Sequence, residues 1–357
     1  MKSSIVLYSD LSDREVAQAI WRAKETLGSR LTILGHHYQR DEVIQFADYR
    51  GDSLGLSQQA AAARDAQYIV FCGVSFMAET AAILSAPGQV VMQPVLEALC
   101  PMAHMANARD AEVAWGTLSP LFPGGVVPIT YQNSTADVKA FVGRHGGAVC
   151  TSSNAQAIFR WALARGEHIL FLPDEHLGTN TALDIGIPRE QVVIWDPSNP
   201  PAAEKVAGAR VSVWKGYCNV HRRMLAEDVD RMRAAHPGAL VVVHPECRRE
   251  VVEKADADYS TTGIIRYVEK APTGATIIIG TEINLVERLA LQHPDKTVLP
   301  LVPARCATMS MTTARDLLYI LEGLLADEPR NVITVDDETA RWAKVALDTM
   351  LEMGANG

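Results

Sequence analysis

Residues 31–48, LTILGHHYQRDEVIQFAD, set the pattern from which the fold is read. The opening run LTILGH (31–36) is apolar and partly β-branched, the composition of a buried strand. It ends in a polar cluster, His36–His37–Tyr38, and passes into a stretch whose apolar residues recur at helical spacing. The same order returns in ITYQNSTADVKAFV (129–142) and in VVHPECRREVVEKAD (242–256). Further runs of strand composition are YIVFCG (68–73), QVVMQP (89–94), GAVCTS (147–152), HILFLP (168–173), VVIWDP (192–197), RVSVWKG (210–216), ATIIIG (275–280) and TVLPLV (297–302). Helical patterns separate them, so the chain is expected to be an α/β protein of parallel units with helices on the sheet faces.

A weak threefold repetition runs through this alternation. Each of the three opening stretches is followed by a second segment that enters a helix: FCGVSFMAETAAIL, CTSSNAQAIFRWAL and YSTTGIIRYVEKA. Each third then closes on a segment with one cysteine: LEALCPMAH, WKGYCNVH and PARCATM. Three copies of one unit would bring Cys100, Cys218 and Cys306 toward a common axis. Polar residues gather where strands end, at His36 and Tyr38, Tyr131 and Asn133, Ser152, Cys218 and His221, His244 and Glu246, and Thr281 and Glu282. Ligand groups collect at the carboxyl ends of parallel strands, so an active site between the three units is expected.

Charge and composition narrow the function. Of 357 residues, 33 are Lys or Arg and 42 are Asp or Glu, a net charge of −9 that argues against nucleic acid or an anionic membrane as the main partner. No stretch approaches the ~20 apolar residues of a membrane span. The first dozen residues are of mixed charge, unlike a signal or transit peptide, so a cytoplasmic location is expected.

The loops that cradle nucleotides, GxGxxG and GxxxxGK[ST], are missing, as are GxSxG and HExxH. The entries TSSN (151–154) and YSTTG (259–263) offer hydroxyls and helix-start N–H groups suited to phosphate or carboxylate, though each also reads as an ordinary cap. His244–Pro245–Glu246–Cys247 sets an imidazole and a carboxylate at one strand end, a pair able to move protons. Tyr38 and Tyr131 are candidate phenol donors. Adjacent residues of an extended chain face opposite ways, so only one of His36 and His37 is expected in the site. Cys100 with His104, Cys218 with His221, and Cys247 with His244 leave a zinc site open. One thiolate from each third instead suits an iron–sulfur cluster held by three cysteines, with one iron left open as a Lewis acid.

Taken together, the ordered motifs ILGHHYQRDEV with DYRGDSL, VFCGVSFMAETAAIL, LEALCPMA, ITYQNSTADVKA, CTSSNA, FLPDEHLG, WKGYCNVH, VHPEC, STTGII, GTEINLVERL and CATM resemble the quinolinate synthases of bacterial NAD biosynthesis. The resemblance runs from about Leu31 to Met309. It implies three similar, Rossmann-like α/β/α domains in a pseudo-threefold arrangement around a central [4Fe–4S] cluster. The domains would be residues 1–112 with the C-terminal helices 310–357 packed on them, 113–218, and 219–309. It implies Cys100, Cys218 and Cys306 as cluster ligands, with Cys72, Cys150 and Cys247 outside the cluster. Tyr38, His244 and Glu246 would be catalytic. His36, Ser53, Phe76, Met77, Tyr131, Gln132, Asn133, Ser152, Pro245 and Thr261 would contact substrate. The implied reaction condenses iminosuccinate with dihydroxyacetone phosphate to quinolinate, phosphate and two waters, with iminosuccinate supplied by an aspartate-oxidising enzyme.

Five residues in three motifs depart from the family pattern: Leu99, Pro101 and His104 around the first cysteine, His176 in PDEHLG, and Arg222 after CNVH. Two other readings remain, a zinc-dependent Cys/His lyase and a non-catalytic iron–sulfur redox sensor. The sensor reading lacks a basic helical module for a nucleic-acid partner. The last apolar-periodic stretch, ETARWAKVALDTMLEM (338–353), reads as an amphipathic helix expected to pack on the first unit.

Overall fold

A computed structural model describes residues 7–354. The described residues form two compact units: those up to Cys100 with Cys306–Asp336, and Pro101–Arg305 with those from Asp337 onward.

The first unit is built on a parallel sheet of β1 (Leu31–His36), β2 (Tyr49–Gly51), β3 (Tyr68–Cys72) and β4 (Val90–Met92), in the order β2-β1-β3-β4. Leu31 to Gly35 of β1 pair in register with Tyr68 to Cys72 of β3. The helix Asp13–Leu27 is started by a reciprocal bond set between Ser12 and Glu15, which satisfies two N–H groups at its first turn. It buries Val16, Ile20, Ala23 and Leu27, one stripe at helical spacing. That stripe joins a core with Ile33, Val70, Leu317 and Leu321, and the helix Ala314–Leu325 packs alongside.

The second unit carries two parallel sheets. One runs β6-β5-β7-β9-β8, from β5 (Val126–Tyr131), β6 (Ala148–Cys150), β7 (His168–Leu172), β8 (Val192–Trp195) and β9 (Val211–Trp214). The other runs β11-β10-β12-β13, from β10 (Leu240–Val243), β11 (Ala257–Asp258), β12 (Thr276–Gly280) and β13 (Thr297–Pro300). In all three sheets the first strand of the repeat lies between the second and the third, so the repetition in sequence is a repetition of topology. The middle sheet differs by the added edge strand β8. Every run read as a strand is one. The short edge strands β2 and β11 were not visible in the sequence because two or three residues carry no period.

One expectation is corrected. The helix Asp337–Gly354 packs on the helix Ala136–Arg144 and on β6 in the second unit, not on the first. The reason is steric. A Cβ at Gly143 would lie 1.9 Å from the carbonyl oxygen of Trp342, so only glycine lets the two helix backbones meet there. Ala343, Ala346, Leu347 and Met350 are fully buried in that contact.

Candidate active site

Equivalent positions of the three repeats carry the candidate residues. Four residues before each helix N-cap (Arg40, Thr135 and Arg248) stand His36, Tyr131 and His244. Two residues later come Tyr38, Asn133 and Glu246. The strand ends there, so the backbone turns away and the side chain remains at the carboxyl edge of the sheet.

His36 and His244 are fixed by one device. The Tyr38 backbone N–H donates to His36 Nδ1 at 3.1 Å, and the Glu246 backbone N–H donates to His244 Nδ1 at 3.3 Å. A ring nitrogen that accepts carries no proton, so each neutral imidazole holds its proton on Nε2. The His36 ring also meets the Tyr38 ring edge-on at 4.8 Å.

The cysteines are set by a second shared device. In each repeat the first residue of the helix after the third strand donates its N–H to a carbonyl two residues before the cysteine: Ser75 to Ala98, Glu175 to Gly216, and Ile283 to Ala304, at 3.0, 2.9 and 2.9 Å. Cys100, Cys218 and Cys306 therefore occupy equivalent backbone positions. They are also the three partly exposed cysteines, whereas Cys72, Cys150 and Cys247 are enclosed. Burial pushes the Cys72 thiol up to about 12 and raises Cys150 and Cys247 as well, which leaves those three as inert hydrophobes.

Glu246 is the centre of the second unit's polar cluster. Its Oε2 receives His221 Nδ1 at 2.6 Å, and the Tyr131 hydroxyl donates to the same carboxylate. His244 stacks on His221 with ring centroids 4.5 Å apart and planes 15° from parallel. Burial works against the charged carboxylate, but His221, then His244 and the donated hydrogen bonds outweigh it and hold Glu246 at about 2. A carboxylate can only accept, so His221 carries a proton on Nδ1, toward Glu246, while its Nε2 lies 3.1 Å from the Thr281 hydroxyl. Asp174 is affected in the opposite sense. Burial, and then the charge on Glu246, raise its carboxyl well above the usual range. Its Oδ1 caps the helix Glu175–Asp184, while the fully enclosed Oδ2 has no hydrogen-bond partner among the described residues.

The remaining candidates fall at helix starts and strand ends within their own units. In the first unit, Ser53 is the first residue of the helix Ser53–Ala62, and Phe76 and Met77 are buried in the first turn of the helix Ser75–Leu84. In the second, Thr261 begins the helix Thr261–Lys270 behind its cap Ser260. Gln132 is buried, Asn133 and Ser152 are half-buried, and Pro245 follows His244 in a buried turn. Asn180 was not anticipated. It is fully buried and donates from Nδ2 to the carbonyls of Pro245 and Cys247 at 2.8 and 2.9 Å, tying the His244–Cys247 turn to the neighbouring helix. Asp174 and the His221–Glu246 bond were missed in the same way, since no local pattern joins residues so far apart in sequence. Of the departures, His104 is exposed, His176 is held down at about 4 by burial and then Arg248, and Arg222 lies 4.0 Å over the Tyr217 ring.

The parallel sheets, with a buried glutamate beside two stacked imidazoles and a buried aspartate at strand ends, define an α/β enzyme. Residues 18–352 match the family model described as Quinolinate synthetase A protein. Similar proteins include the quinolinate synthases of Acidobacterium capsulatum (50% identical, covering 97% of this chain and 95% of that one), Anoxybacillus flavithermus (49%, 96% and 95%) and Bacillus velezensis (47%, 96% and 95%). The chain belongs to the quinolinate synthetase A family. Among the described residues no helix is long and apolar enough to cross a membrane.

Proposed function

We propose that the chain condenses iminosuccinate with dihydroxyacetone phosphate to quinolinate, phosphate and two waters, in the cytoplasm and as a step toward NAD. An aspartate-oxidising enzyme would supply the iminosuccinate. Cys100, Cys218 and Cys306 would hold a [4Fe–4S] cluster. What carries this reading is that these three thiols share one backbone position in the three repeats and are the partly exposed ones of the six. Soft thiolate donors of this kind suit iron–sulfur clusters. When bound, the cluster supplies a Lewis-acid iron that polarises a substrate oxygen or nitrogen.

The chain's own residues account for the rest. Glu246, held near 2, stays ionised at neutral pH and acts as a fixed negative charge that orients His221 and Tyr131. His244 presents its Nε2 proton to a carbonyl or developing oxyanion. Burial, and then that charge, hold the Asp174 carboxyl above the usual carboxylate range. In the first unit, His36 and Tyr38 offer a second imidazole–phenol pair for the proton transfers that condensation and dehydration require. Ser53, Ser152 and Thr261, at or just before helix starts, would bind the phosphate and carboxylates with hydroxyls and N–H groups, beside Gln132, Asn133 and Pro245. Phe76 and Met77 would wall the pocket.

A second reading rests on one observation: ligand atoms of Cys218, His221 and Glu246 lie within 4.8 Å of one another, a group able to hold zinc. Both His221 nitrogens are already engaged, so zinc would have to replace the His221–Glu246 hydrogen bond or the Thr281 contact. The test is iron, sulfide and zinc content of protein purified without oxygen, with quinolinate formation measured on the same sample. About four irons and four sulfides per chain with turnover support the proposal. Zinc alone after attempted anaerobic reconstitution, without turnover, overturns it.

A further inference from the structure

The Thr151–Ser152–Ser153 turn follows β6 and leads into the helix Ala155–Leu163. Asn154 closes it. Its Oδ1 accepts from the Thr151 N–H at 2.8 Å and from the Thr151 hydroxyl at 3.2 Å, and its own N–H donates to the Thr151 carbonyl at 3.2 Å. The Ser153 N–H donates to Thr151 Oγ1 at 3.3 Å, so the whole turn hangs on how the Asn154 amide is oriented. That orientation is decided elsewhere. Asn154 Nδ2 donates to the backbone carbonyl of Met350, 196 residues away on the helix Asp337–Gly354, at 3.3 Å. A carbonyl can only accept, so the NH₂ must face Met350 and the oxygen must face Thr151. The helix in turn is seated by the contact of Gly143 with the Trp342 carbonyl and by the buried Ala346, Leu347 and Met350.

We propose that the C-terminal helix is a strap that sets the conformation of the Ser152 turn, and through it the affinity for an anionic group of a substrate, with Asn154 as the positioning residue. The proposal rests on the reading of Ser152 as substrate-contacting and adds what controls it. Ordering of the turn is stored in the Met350–Asn154–Thr151 chain, so disturbing the strap far from the turn should loosen the turn itself. The consequence is a change in substrate binding more than in the chemical step. An interaction made equally with substrate and transition state raises KM when lost and leaves kcat in place.

Four variants test this: Asn154→Ala, Asn154→Asp, Gly143→Ala and, as a control, Val345→Ala on the solvent side of the same helix. Asn154→Asp keeps the acceptor for Thr151 and loses the donor to Met350. Gly143→Ala disturbs the seat of the helix and leaves the turn's sequence intact. Thermal melts confirm that each variant is folded, and amide hydrogen exchange over residues 148–154 reads the turn without needing turnover. Faster exchange is expected in the first three variants and none in Val345→Ala. With it goes a KM rise of about tenfold for one substrate at a kcat changed less than about twofold, the size expected for one lost hydrogen bond.

Inorganic phosphate or succinate added to wild type should slow exchange in the turn. Protection by phosphate assigns the phosphate group, and protection by succinate assigns a carboxylate. If neither protects, the anion role is overturned. If folded Asn154→Asp and Gly143→Ala exchange like wild type and keep its KM, the strap is overturned. If wild type forms no quinolinate while the variants still loosen the turn, the proposed reaction falls and the strap stands.

Discussion

Asn180 offers a test of how the fold holds the His244–Glu246 pair. Its side chain is fully enclosed, and one NH₂ group donates to the carbonyls of both Pro245 and Cys247. Replacing it with alanine leaves two buried acceptors without a donor. At about 1–3 kcal/mol for each unsatisfied group, with some relaxation, the loss should be about 2–4 kcal/mol in a denaturant unfolding experiment. The turn also carries His244 and Glu246, so a displacement of the turn should lower kcat by about a hundredfold or less. Asn180→Asp is nearly the same size, yet it should be worse than alanine at pH 7. It sets an acceptor against two carbonyls in a dry site and must either bury a charge or keep a proton. Keeping the proton means a folded-state pKa above the unfolded value of about 3.9. The folded chain then binds more protons than the unfolded one between those two values, so the deficit against alanine narrows as pH falls through that window. An Asn180→Asp protein as stable as wild type at pH 7, or an alanine variant within about 0.5 kcal/mol of it, would refute the reasoning.

Three further outcomes follow from the geometry. Burial holds His168 at about 4 against the opposing bond to the Ala209 carbonyl, so the ring enters the folded protein neutral. Its stability is complete above pH 6.5 and is lost as pH falls toward 4, by about 3 kcal/mol in all, a dependence that His168→Gln should lack when unfolding midpoints are compared at pH 7 and 4.5. Serine at Cys100, Cys218 or Cys306 should abolish iron and sulfide binding while Cys150→Ser retains both, and equal loading in all four would sink the ligand set. Glu246→Gln removes the fixed charge between His221 and His244 and should cut kcat by about a hundredfold or more, with quinolinate formation as the assay.

What could be read from the sequence divides along a physical line. Strands of four to six residues have a composition that survives without context, and each of the longer ones was visible from its apolar run. Residues at strand ends, such as His36, Tyr131 and His244, were visible for the same reason, because a polar cluster at the end of an apolar run has few places to go in a parallel sheet. The partners of those residues were not. His221 reaches Glu246 across 25 positions, Asn180 reaches Pro245 across 65, and Asn154 reaches Met350 across 196. Such pairs are chosen by which helix the topology lays against which turn, and no local periodicity encodes that choice.

The misplaced C-terminal helix shows the same limit at the level of packing. Its amphipathic stripe was legible, but a stripe says only that the helix must cover something. Which unit it covers is decided by Gly143, one residue without a side chain in an otherwise ordinary helix, opposite Trp342. The cysteines show the converse. Six thiols are equivalent as letters, and the threefold repeat singles out three of them. Exposure then separates the same three by an independent route, since Cys72, Cys150 and Cys247 are enclosed and Cys100, Cys218 and Cys306 are half-buried. A thiol kept for packing gains from being enclosed, whereas a thiol kept as a ligand must stay reachable. The division of these six residues is the one the proposed cluster would require.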